Sequence, residues 1–311
     1  MKAQKEWLEF MSEFLKKTKK QYMLILMIVP AFLVVAIFNY VPMYGILMAF
    51  KDYRVARGVA GSDWVGLKHF IAFFNNPFAT RTISNTLILG TYSFLWSFPA
   101  PIILALLINE LNHLKFKKLV QTISYLPYFL STIIIVGMLK NFTALEGGLF
   151  NQIITFFGGE PIHFFAEASW FRTLYIGSGI WQGIGWGTII YLAALAGVDV
   201  ELYDAAAIDG ANRLQRIWYI TLPALYPTIT ILMILSIGSI LGSDFQKVLL
   251  MYNPNTYQVS DIIQTYVFRE GIEGGRTSYT TAVGLFTSVV SFILLYLANL
   301  ISRKLDGNSL W

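Results

Sequence analysis

The segment Asp199–Pro223, which reads DVELYDAAAIDGANRLQRIWYITLP, is richer in helix signals than a simple connector between two apolar stretches. Asp199 is a favourable N-cap, and Glu201 places an acid in the first turn, near the positive end of the helix dipole. The run 205–207 consists of alanine, the strongest helix former, and Gly210 permits the left-handed residue that ends many helices. We therefore predict a short helix that stops at Gly210.

A second short helix is expected over 212–219, with Leu214, Ile217 and Trp218 available for packing. Pro223 should then open the next apolar stretch in its first turn, where a missing N–H is tolerated. The two helices would meet at a sharp bend. An alanine-lined helix has little side-chain bulk, so it can dock in a groove of a partner and transmit a rigid-body movement. The alternative is a surface hairpin that contacts only lipid or solvent.

The composition is that of a membrane protein. Of the 311 residues, 56% are hydrophobic, 16% are aromatic and only 13% are charged. Such an apolar excess must be buried in lipid, and abundant aromatic residues suit two membrane interfaces. The net charge of +5 comes from basic residues beside apolar runs, which favours anionic lipid headgroups over nucleic acid as their counterpart. The absence of cysteine excludes disulfides, thiolate metal sites and thiol nucleophiles.

Charged residues divide the chain so that six uncharged stretches of at least about 20 residues emerge, the length that a helix needs to cross a bilayer. We therefore predict an all-α integral membrane protein with six transmembrane helices. An even number places both termini on one side. Lys and Arg are roughly twice as dense in the loops of that side, so both termini should be cytoplasmic. The charges that bound the six stretches are Lys20 and Lys51, Arg81 and Glu110, Lys118 and Lys140, Arg172 and Asp199, Arg216 and Asp244, and Arg276 and Arg303.

One domain is expected, because the sequence shows no internal repeat or linker. Residues 1–20 should form a cytoplasmic amphipathic segment and residues 304–311 a cytoplasmic tail. Between them, residues 21–303 should form the six-helix domain, with 199–221 as its cytoplasmic loop. The first apolar stretch is too long for a cleaved signal peptide and is expected to be a retained span. The shorter apolar stretch 147–159 is expected to be an outer re-entrant or interfacial piece.

Signatures of catalysis, cofactor binding and ion coupling are missing. No glycine-rich run ends in Gly-Lys-Ser/Thr, which excludes a P-loop for nucleotide phosphates. His69, His113 and His163 lie in separate loops with no carboxylate at metal-ligand spacing, so no metal site is predicted. A secondary transporter normally carries an acid or base within the membrane, and here Asp244, at the end of the fifth stretch, comes closest. We therefore expect a non-catalytic protein whose energy source is another polypeptide.

The loop also contains a spaced series of small, acidic and apolar residues. Its members are Asp204, Ala205, Ala206, Asp209, Gly210, Ala211, Ile220, Leu222 and Pro223. This series resembles the signature cytoplasmic loop of binding-protein-dependent ABC import permeases. Asp204 stands where that family usually has glutamate, which keeps the charge and shortens the reach. The resemblance implies that these residues, together with Glu201, couple the chain to an ATPase.

Further matching stretches follow in order along the chain: 39–45, 50–53, 65–70, 85–87 and 105–110. Together they resemble the sugar branch of the family, in particular permeases of polysaccharide or complex-oligosaccharide importers. The resemblance implies the ABC type I importer permease fold in a bacterial cell membrane. It also implies alternating access, in which ATP and Mg are bound by partner subunits and not by this chain.

The same resemblance implies a set of partners. These are a second homologous permease, two ATPase subunits and an extracellular solute-binding protein, which is usually a lipoprotein in Gram-positive bacteria. Membrane lipids and a carbohydrate substrate complete the set, and no nucleic acid is expected.

For the carbohydrate, the resemblance places contacts on the spans that flank the loop. Aromatic rings stack on the apolar faces of sugar rings, while hydroxyl, amide and carboxylate groups bind sugar hydroxyls. The candidate pathway residues are Trp181, Gln182, Trp186, Ser236, Ser239, Ser243, Asp244 and Gln246. The alternative is that they serve helix packing and interfacial anchoring. Glycines recur every fourth residue on the same spans, which favours close helix packing or else a wider pathway; they are Gly179, Gly183, Gly187, Gly238 and Gly242.

The function expected from these patterns is import of an oligosaccharide or glycan. A permease of the same class for a phosphodiester or polyamine is the second hypothesis. A self-sufficient channel or secondary carrier is the third.

Overall fold

The chain is built almost entirely of helices in the computed structural model, which describes residues 21–305 and Leu310. The predicted segment 1–20 and most of the predicted tail 304–311 lie outside the described residues. In chain order the helices are α1 (Tyr22–Phe50), α2 (Gly58–Gly61), α3 (Lys68–Phe74), α4 (Pro77–Asn109), α5 (Leu114–Phe129), α6 (Thr132–Phe142), α7 (Leu149–Phe156), α8 (Ala168–Leu195), α9 (Val200–Ile208), α10 (Arg213–Gly238), α11 (Phe245–Met251), α12 (Tyr257–Ser260), α13 (Ile263–Phe268) and α14 (Thr277–Leu305). Two short strands, β1 (Lys51–Asp52) and β2 (Asp63–Trp64), pair antiparallel.

Four of the described helices are long and apolar enough to cross a membrane, namely α1, α4, α10 and α14. Two further pairs of helices meet at sharp bends, 103° between α5 and α6 and 78° between α8 and α9. Counting each bent pair as one span gives up to six spans in the described part of the chain. Each of the predicted apolar stretches thus corresponds to helical structure.

The third predicted span, between Lys118 and Lys140, is not one straight helix as expected. Pro127 has no N–H to continue the helical hydrogen bonds, and the chain tightens into a 3-10 turn over Leu126–Phe129. Leu130 and Ser131 are then extended. The Ser131 hydroxyl accepts a hydrogen bond from the N–H of Ile134 and so starts α6 in a new direction. A proline turn followed by an N-cap serine therefore accounts for the 103° bend.

The predicted apolar piece 147–159 contains one helix, α7. Its Asn151 side chain is buried and ties the surrounding loop together, because it donates to the carbonyl oxygens of Ala144 and Ile162 at 3.0 Å each. Its last residue, Phe156, is exposed together with Phe157. The helix therefore has one face fixed to the chain and an aromatic end that is uncovered.

Helix α8 lies at the centre of the packing and contacts α4, α5, α6, α10, α11 and α12. Two of its glycines permit close approach. A Cβ at Gly185 would lie 2.0 Å from the carbonyl oxygen of Ser124, and one at Gly187 would lie 2.8 Å from Cγ of Pro101. Close packing is therefore confirmed at Gly187, whereas Gly185, outside the predicted every-fourth pattern, makes the tighter contact.

The other glycines of the pattern divide between packing and open space. A Cβ at Gly238 would lie 2.7 Å from a methyl group of Leu295, so this glycine packs α10 on α14. A Cβ at Gly242 would lie 3.2 Å from the carbonyl oxygen of Ser239, within the same turn. No described atom lies within 4 Å of a Cβ at Gly183. Packing is thus not the common reason for the pattern.

A buried carboxylate ties α4 to the segment before α13. Asp261 is fully buried and accepts hydrogen bonds from Arg81 at 3.1 Å and from Arg269 at 2.9 Å. Thr265 donates to its other oxygen at 2.9 Å. Asn85 donates to the Asp261 carbonyl oxygen at 3.2 Å. These charge-assisted bonds compensate for the desolvation of a buried carboxylate and hold this end of α4 in place.

Replacing Gly185 by Ala should destabilise the protein, because the new methyl group would lie 2.0 Å from the carbonyl oxygen of Ser124. Overpacking of this kind costs about 1–3 kcal/mol. Gly177→Ala in the same helix is the matched control, since no described atom lies within 4 Å of its added Cβ. Thermal unfolding of both purified variants in one detergent should show a lower midpoint for Gly185→Ala alone. Equal midpoints would contradict the close packing of α8 on α5.

Candidate functional site: a capped loop helix and a polar cavity

The loop helix α9 begins with a side-chain cap. The Asp199 carboxylate accepts a hydrogen bond from the backbone N–H of Glu201 at 3.0 Å. Glu201 also provides the acid in the first turn, which the helix dipole favours. The predicted start of the helix is confirmed, and the chain turns by 78° between α8 and α9 to reach it.

The end of α9 is closed by a glycine motif. Gly210 adopts a φ of 78°, the left-handed conformation that glycine tolerates best. Its N–H donates to the carbonyl oxygen of Ala207 at 3.2 Å, and the N–H of Ala211 donates to that of Ala206 at 2.9 Å. This pair of bonds is a Schellman closure. The predicted stop at Gly210 is confirmed.

The second short helix, predicted over 212–219, begins as expected but does not end before the next span. Asn212 and Gln215 form a capping box, in which each side chain accepts from the backbone N–H of the other residue at 2.9 and 2.8 Å. From there α10 runs on without interruption. A π turn over Ile217–Thr221 widens the helix just before Pro223, whose ring would otherwise clash with the carbonyl four residues earlier. Pro223 therefore lies inside a continuous helix and does not open it.

One side-chain hydrogen bond joins α9 to α10. The hydroxyl of Tyr203 lies 3.1 Å from Oγ1 of Thr221, which is fully buried and belongs to the π turn. The bond connects the middle of the loop helix to the base of the long apolar helix. This bond therefore ties the loop helix to the long apolar helix.

Several large apolar side chains of α9 and of the start of α10 are exposed. Ile208 is 87% exposed and Tyr219 is 80% exposed. Other exposed large apolar side chains on this surface are Val200, Leu202, Leu214 and Trp218. Contiguous exposed apolar side chains mark contact surfaces.

The predicted loop residues fall into two groups by exposure. The exposed members are Glu201, Asp204, Ala205, Asp209 and Gly210, and the half-buried members are Ala206, Ala211, Ile220, Leu222 and Pro223. Among the described residues, Glu201 and Asp204 form no ion pair with another side chain. Their carboxylates are therefore available to a partner. Ala205 presents its side chain outward more fully than Ala206.

Helices α4, α8 and α10, together with the segment that follows α10, enclose a polar cavity of about 410 Å³. Four predicted pathway residues line it: Ser236, Ser239, Ser243 and Asp244. The Ser243 hydroxyl is buried and has no hydrogen-bond partner in the described chain. Backbone carbonyl oxygens accept from the hydroxyls of Ser236 and Ser239 at 2.8 and 2.9 Å, which leaves the lone pairs of these hydroxyls free to accept.

A second cavity of about 330 Å³ adjoins the first. The two cavities share Ser93, Ser97, Tyr175 and Asp244. Gln182 lines the second cavity and donates to the carbonyl oxygen of Leu130 at 3.2 Å. Gly179 and Gly183 also line it, so these two glycines border open space, as the alternative interpretation of their pattern predicts.

Three predicted pathway residues do not line the polar cavities. Trp181 lines a separate, largely apolar cavity of about 480 Å³. Trp186 stacks on Tyr128, with ring centroids 4.5 Å apart, and reaches the second cavity only through that ring. Gln246 is exposed on α11 and lines neither cavity. Position along a span could not distinguish these residues from the ones that face the cavity.

Several cavity residues are not among the sequence-based candidates, among them Ser93, Ser97, Tyr175 and Lys247. Ser93 and Ser97 lie four residues apart on α4, a spacing that places both on one helix face. The hydroxyl oxygen of Tyr175 accepts a hydrogen bond from the backbone N–H of Asp244 at 3.0 Å. That bond links α8 to the segment after α10. No local sequence pattern predicts it, because the two residues are 69 positions apart.

No cluster of three or more His, Asp or Glu side chains that could hold a metal ion lies within the described residues. His69 Nε2 contacts the carbonyl oxygen of Lys51 at 3.1 Å. His113 caps α5 by accepting from the N–H of Phe116. Both histidines thus have local structural contacts.

Residues 70–307 match the protein family described as the binding-protein-dependent transport system inner membrane component. The matched segment contains the capped loop helix and every wall of the two polar cavities. The chain belongs to this family. The resemblance drawn from the loop signature is therefore confirmed, and the permease is a multi-pass protein of the inner membrane.

The permease is 46% identical over 295 residues to the polygalacturonan/rhamnogalacturonan transport system permease protein YteP of Bacillus subtilis (strain 168), across 95% of this chain and 92% of that one. It also resembles the crystal structure of a bacterial ABC transporter involved in the import of the acidic polysaccharide alginate. The TM-score is 0.87 and the identity 38%, over 94% of this chain and 99% of that one. A structure of bacterial alginate ABC transporter in complex with alginate pentasaccharide-bound periplasmic protein matches equally well, at a TM-score of 0.87 and 38% identity, over 95% of this chain and 99% of that one. The chain thus has the helical ABC type I permease fold.

Tyr203→Phe should loosen α9 against α10, because it removes the hydrogen bond to Thr221. Such a bond contributes about 1 kcal/mol, so local opening should become about fivefold more frequent. Hydrogen–deuterium exchange of the amides of residues 200–208 in the purified permease measures this opening. Tyr219→Phe is the control, since the Tyr219 hydroxyl is exposed and has no described partner. If both variants exchange at the same rate, the bond does not hold the loop helix.

Proposed function

We propose that the chain is the permease subunit of an ATP-binding-cassette importer and forms half of the translocation pathway for an oligosaccharide or glycan. The observation that carries this proposal is a likeness over the whole length. YteP, named for polygalacturonan and rhamnogalacturonan transport, is 46% identical across 95% of the chain. The alginate importer shares the fold at a TM-score of 0.87. The serine-lined cavity supports the proposal, because hydroxyl groups pair well with sugar hydroxyls.

The proposed topology has six spans and two cytoplasmic termini. The spans are α1, α4, the bent pair α5 and α6, then α8, α10 and α14, which agrees with the upper count of six. Residues 21–303 form this domain, between an N-terminal segment 1–20 and a tail 304–311 on the cytoplasmic side. The density of Lys and Arg in the loops supports this orientation. It places the loop 199–221 in the cytoplasm.

The partners proposed are a second homologous permease, two ATPase subunits that bind ATP and Mg, and an extracellular solute-binding protein. The permease itself is non-catalytic and holds no cofactor. Exposed apolar side chains around α9 support docking of an ATPase, since they form the kind of surface that a partner covers. The alginate transporter in complex with its pentasaccharide-bound periplasmic protein supports the extracellular partner.

Movement of the ATPase would reach the pathway through α9. Asp204 and Ala205 are exposed on α9 and would contact the ATPase, and the Tyr203–Thr221 bond would pass a displacement of α9 to α10. Because α10 is continuous from the loop to Gly238, its base and its cavity-lining Ser236 move together. This is the rigid-body route that alternating access requires.

Within the pathway, substrate contact is assigned first to the residues that line the cavities. These are Gln182, Ser236, Ser239, Ser243 and Asp244. Ser243 is the strongest of them, because its buried hydroxyl has no described partner and a sugar hydroxyl would satisfy it. Trp181, Trp186 and Gln246 contribute at the margins of the pathway.

Ala205→Trp should uncouple the importer, because an indole on the outward face of α9 cannot enter a groove that fits alanine. The assembled importer should insert and hydrolyse ATP, while uptake of labelled oligosaccharide into proteoliposomes falls at least about tenfold, the effect of losing about 1.4 kcal/mol. Leu114→Trp is the control for bulk, since Leu114 is an exposed residue at the start of α5, outside the loop.

Two outcomes of this assay would contradict the proposal. Uptake that persists without ATP or without the ATPase would identify a secondary carrier or channel. Uptake of a phosphodiester or polyamine in place of every carbohydrate tested would identify a permease for another solute.

A further inference from the structure

Lys247 is a buried cation whose ammonium group forms no ion pair within the described part of the chain. The residue is only 3% exposed and lies in α11, beyond the end of the apolar helix α10. The Asp244 carboxylate is near in sequence, but it accepts from the backbone N–H of Lys247 at 3.1 Å and forms no ion pair with the ammonium group among the described residues. The ammonium group lies over the ring of Tyr175, with Nζ 5.2 Å from the ring centroid.

The ammonium group faces the second polar cavity. Lys247 lines this cavity together with Gln182, Ser93 and Ser97. A Cβ placed on Gly179 of α8 would lie 3.4 Å from Nζ of Lys247. The glycine therefore keeps the space in front of the ammonium group open.

An unpaired buried ammonium group is unfavourable, and a lysine without a role normally extends its charge into water. Burial lowers the pKa of Lys247 to about 8, with the nearby Asp244 carboxylate opposing the shift. The group is thus still mostly protonated at pH 7. A cation held in this way is best compensated by an anion that enters the cavity.

We infer that Lys247 binds a carboxylate of the transported glycan, so that the substrate class is an oligosaccharide containing uronic acid. The inference rests on the proposed carbohydrate function and makes it narrower. The lining of the two cavities offers one ammonium group, which can pair with one carboxylate of the glycan. A phosphate monoester carries nearly two negative charges, and the cavity has no second cation in its lining to match them. The serine hydroxyls and Gln182 remain for the sugar hydroxyls.

The test uses the complete importer in proteoliposomes, with its solute-binding protein outside and ATP inside. The probes are trimers of galacturonate and of mannuronate, and neutral trimers of galactose and of arabinose. Binding of each probe to the solute-binding protein is measured separately, so that a loss at delivery is not mistaken for a loss in the pathway. We expect ATP-dependent uptake of a uronate trimer.

The variants separate charge from packing. Lys247→Met should lower uptake of the uronate trimer at least about tenfold, because a desolvated charge pair is broken, and Lys247→Arg should restore most of it. Gly179→Val should give a similar loss by filling the space in front of Nζ without removing the charge. Lys140→Met is the matched control, since Lys140 also lies over an aromatic ring, that of Phe165, but is exposed and lines neither polar cavity. Its uptake should equal that of the wild type.

The outcomes distinguish the inference from the proposal on which it rests. Wild-type uptake of neutral trimers alone, or undiminished uronate uptake by Lys247→Met, would overturn the role of Lys247 and leave the carbohydrate function standing. Absence of uptake of all four trimers by the wild type, with the solute-binding protein shown to bind one of them, would overturn the carbohydrate function itself. If Lys247→Met loses both uronate uptake and basal ATP hydrolysis, the variant is misassembled. Uptake of the uronate trimer by Gly179→Val is then the deciding measurement: a loss supports the role of Lys247, and undiminished uptake overturns it.

Discussion

The contact between Tyr203 and Thr221, together with the two caps of α9, fixes a short exposed helix to a long apolar one. An isolated helix of nine residues is marginal in water, because nucleation of a helix is costly. Here the Asp199 carboxylate satisfies one end, and the left-handed Gly210 closes the other. Caps at both ends therefore favour a rigid loop helix. A coupling by rigid-body movement depends on that rigidity.

Helices α8 and α10, which flank the loop helix, also line the cavity. Helix α8 enters the loop through the 78° bend, and α10 leaves it as one continuous helix. Gly185 and Gly187 press α8 against its neighbours, while Tyr175 fixes the segment after α10 through the backbone of Asp244. Closely packed elements thus connect the loop to the serines and to Lys247. The chain carries the capped loop helix and the cavities, and its sequence contains no P-loop.

Local features were predictable from sequence because local chemistry determines them. The caps of α9 depend on Asp199 and Gly210 within one short segment, and apolar stretches bounded by charges mark the long helices. The break at Pro127 was missed because an apolar stretch alone does not reveal a change of direction. Pro223 was misplaced because a π turn can accommodate proline inside a helix.

The residues that line the cavity were predicted only in part, for a different reason. Its residues come from distant parts of the chain, and neither hydropathy nor spacing shows which face of α4 meets α8. From sequence, Lys247 is indistinguishable from a solvent-exposed lysine in a loop. Only the fold shows that it is buried beside Tyr175.

The proposed coupling depends most directly on contact between α9 and the ATPase. The chain contains no cysteine, so Ala205→Cys provides a unique thiol at the outward face of the loop helix. Disulfide cross-linking of this variant, assembled with an ATPase that carries a single cysteine in its groove, should give a heterodimer and stop uptake until a reducing agent is added. If Ala205→Cys forms no cross-link while Leu114→Cys does, the ATPase binds elsewhere on the permease and the proposed coupling through α9 is wrong.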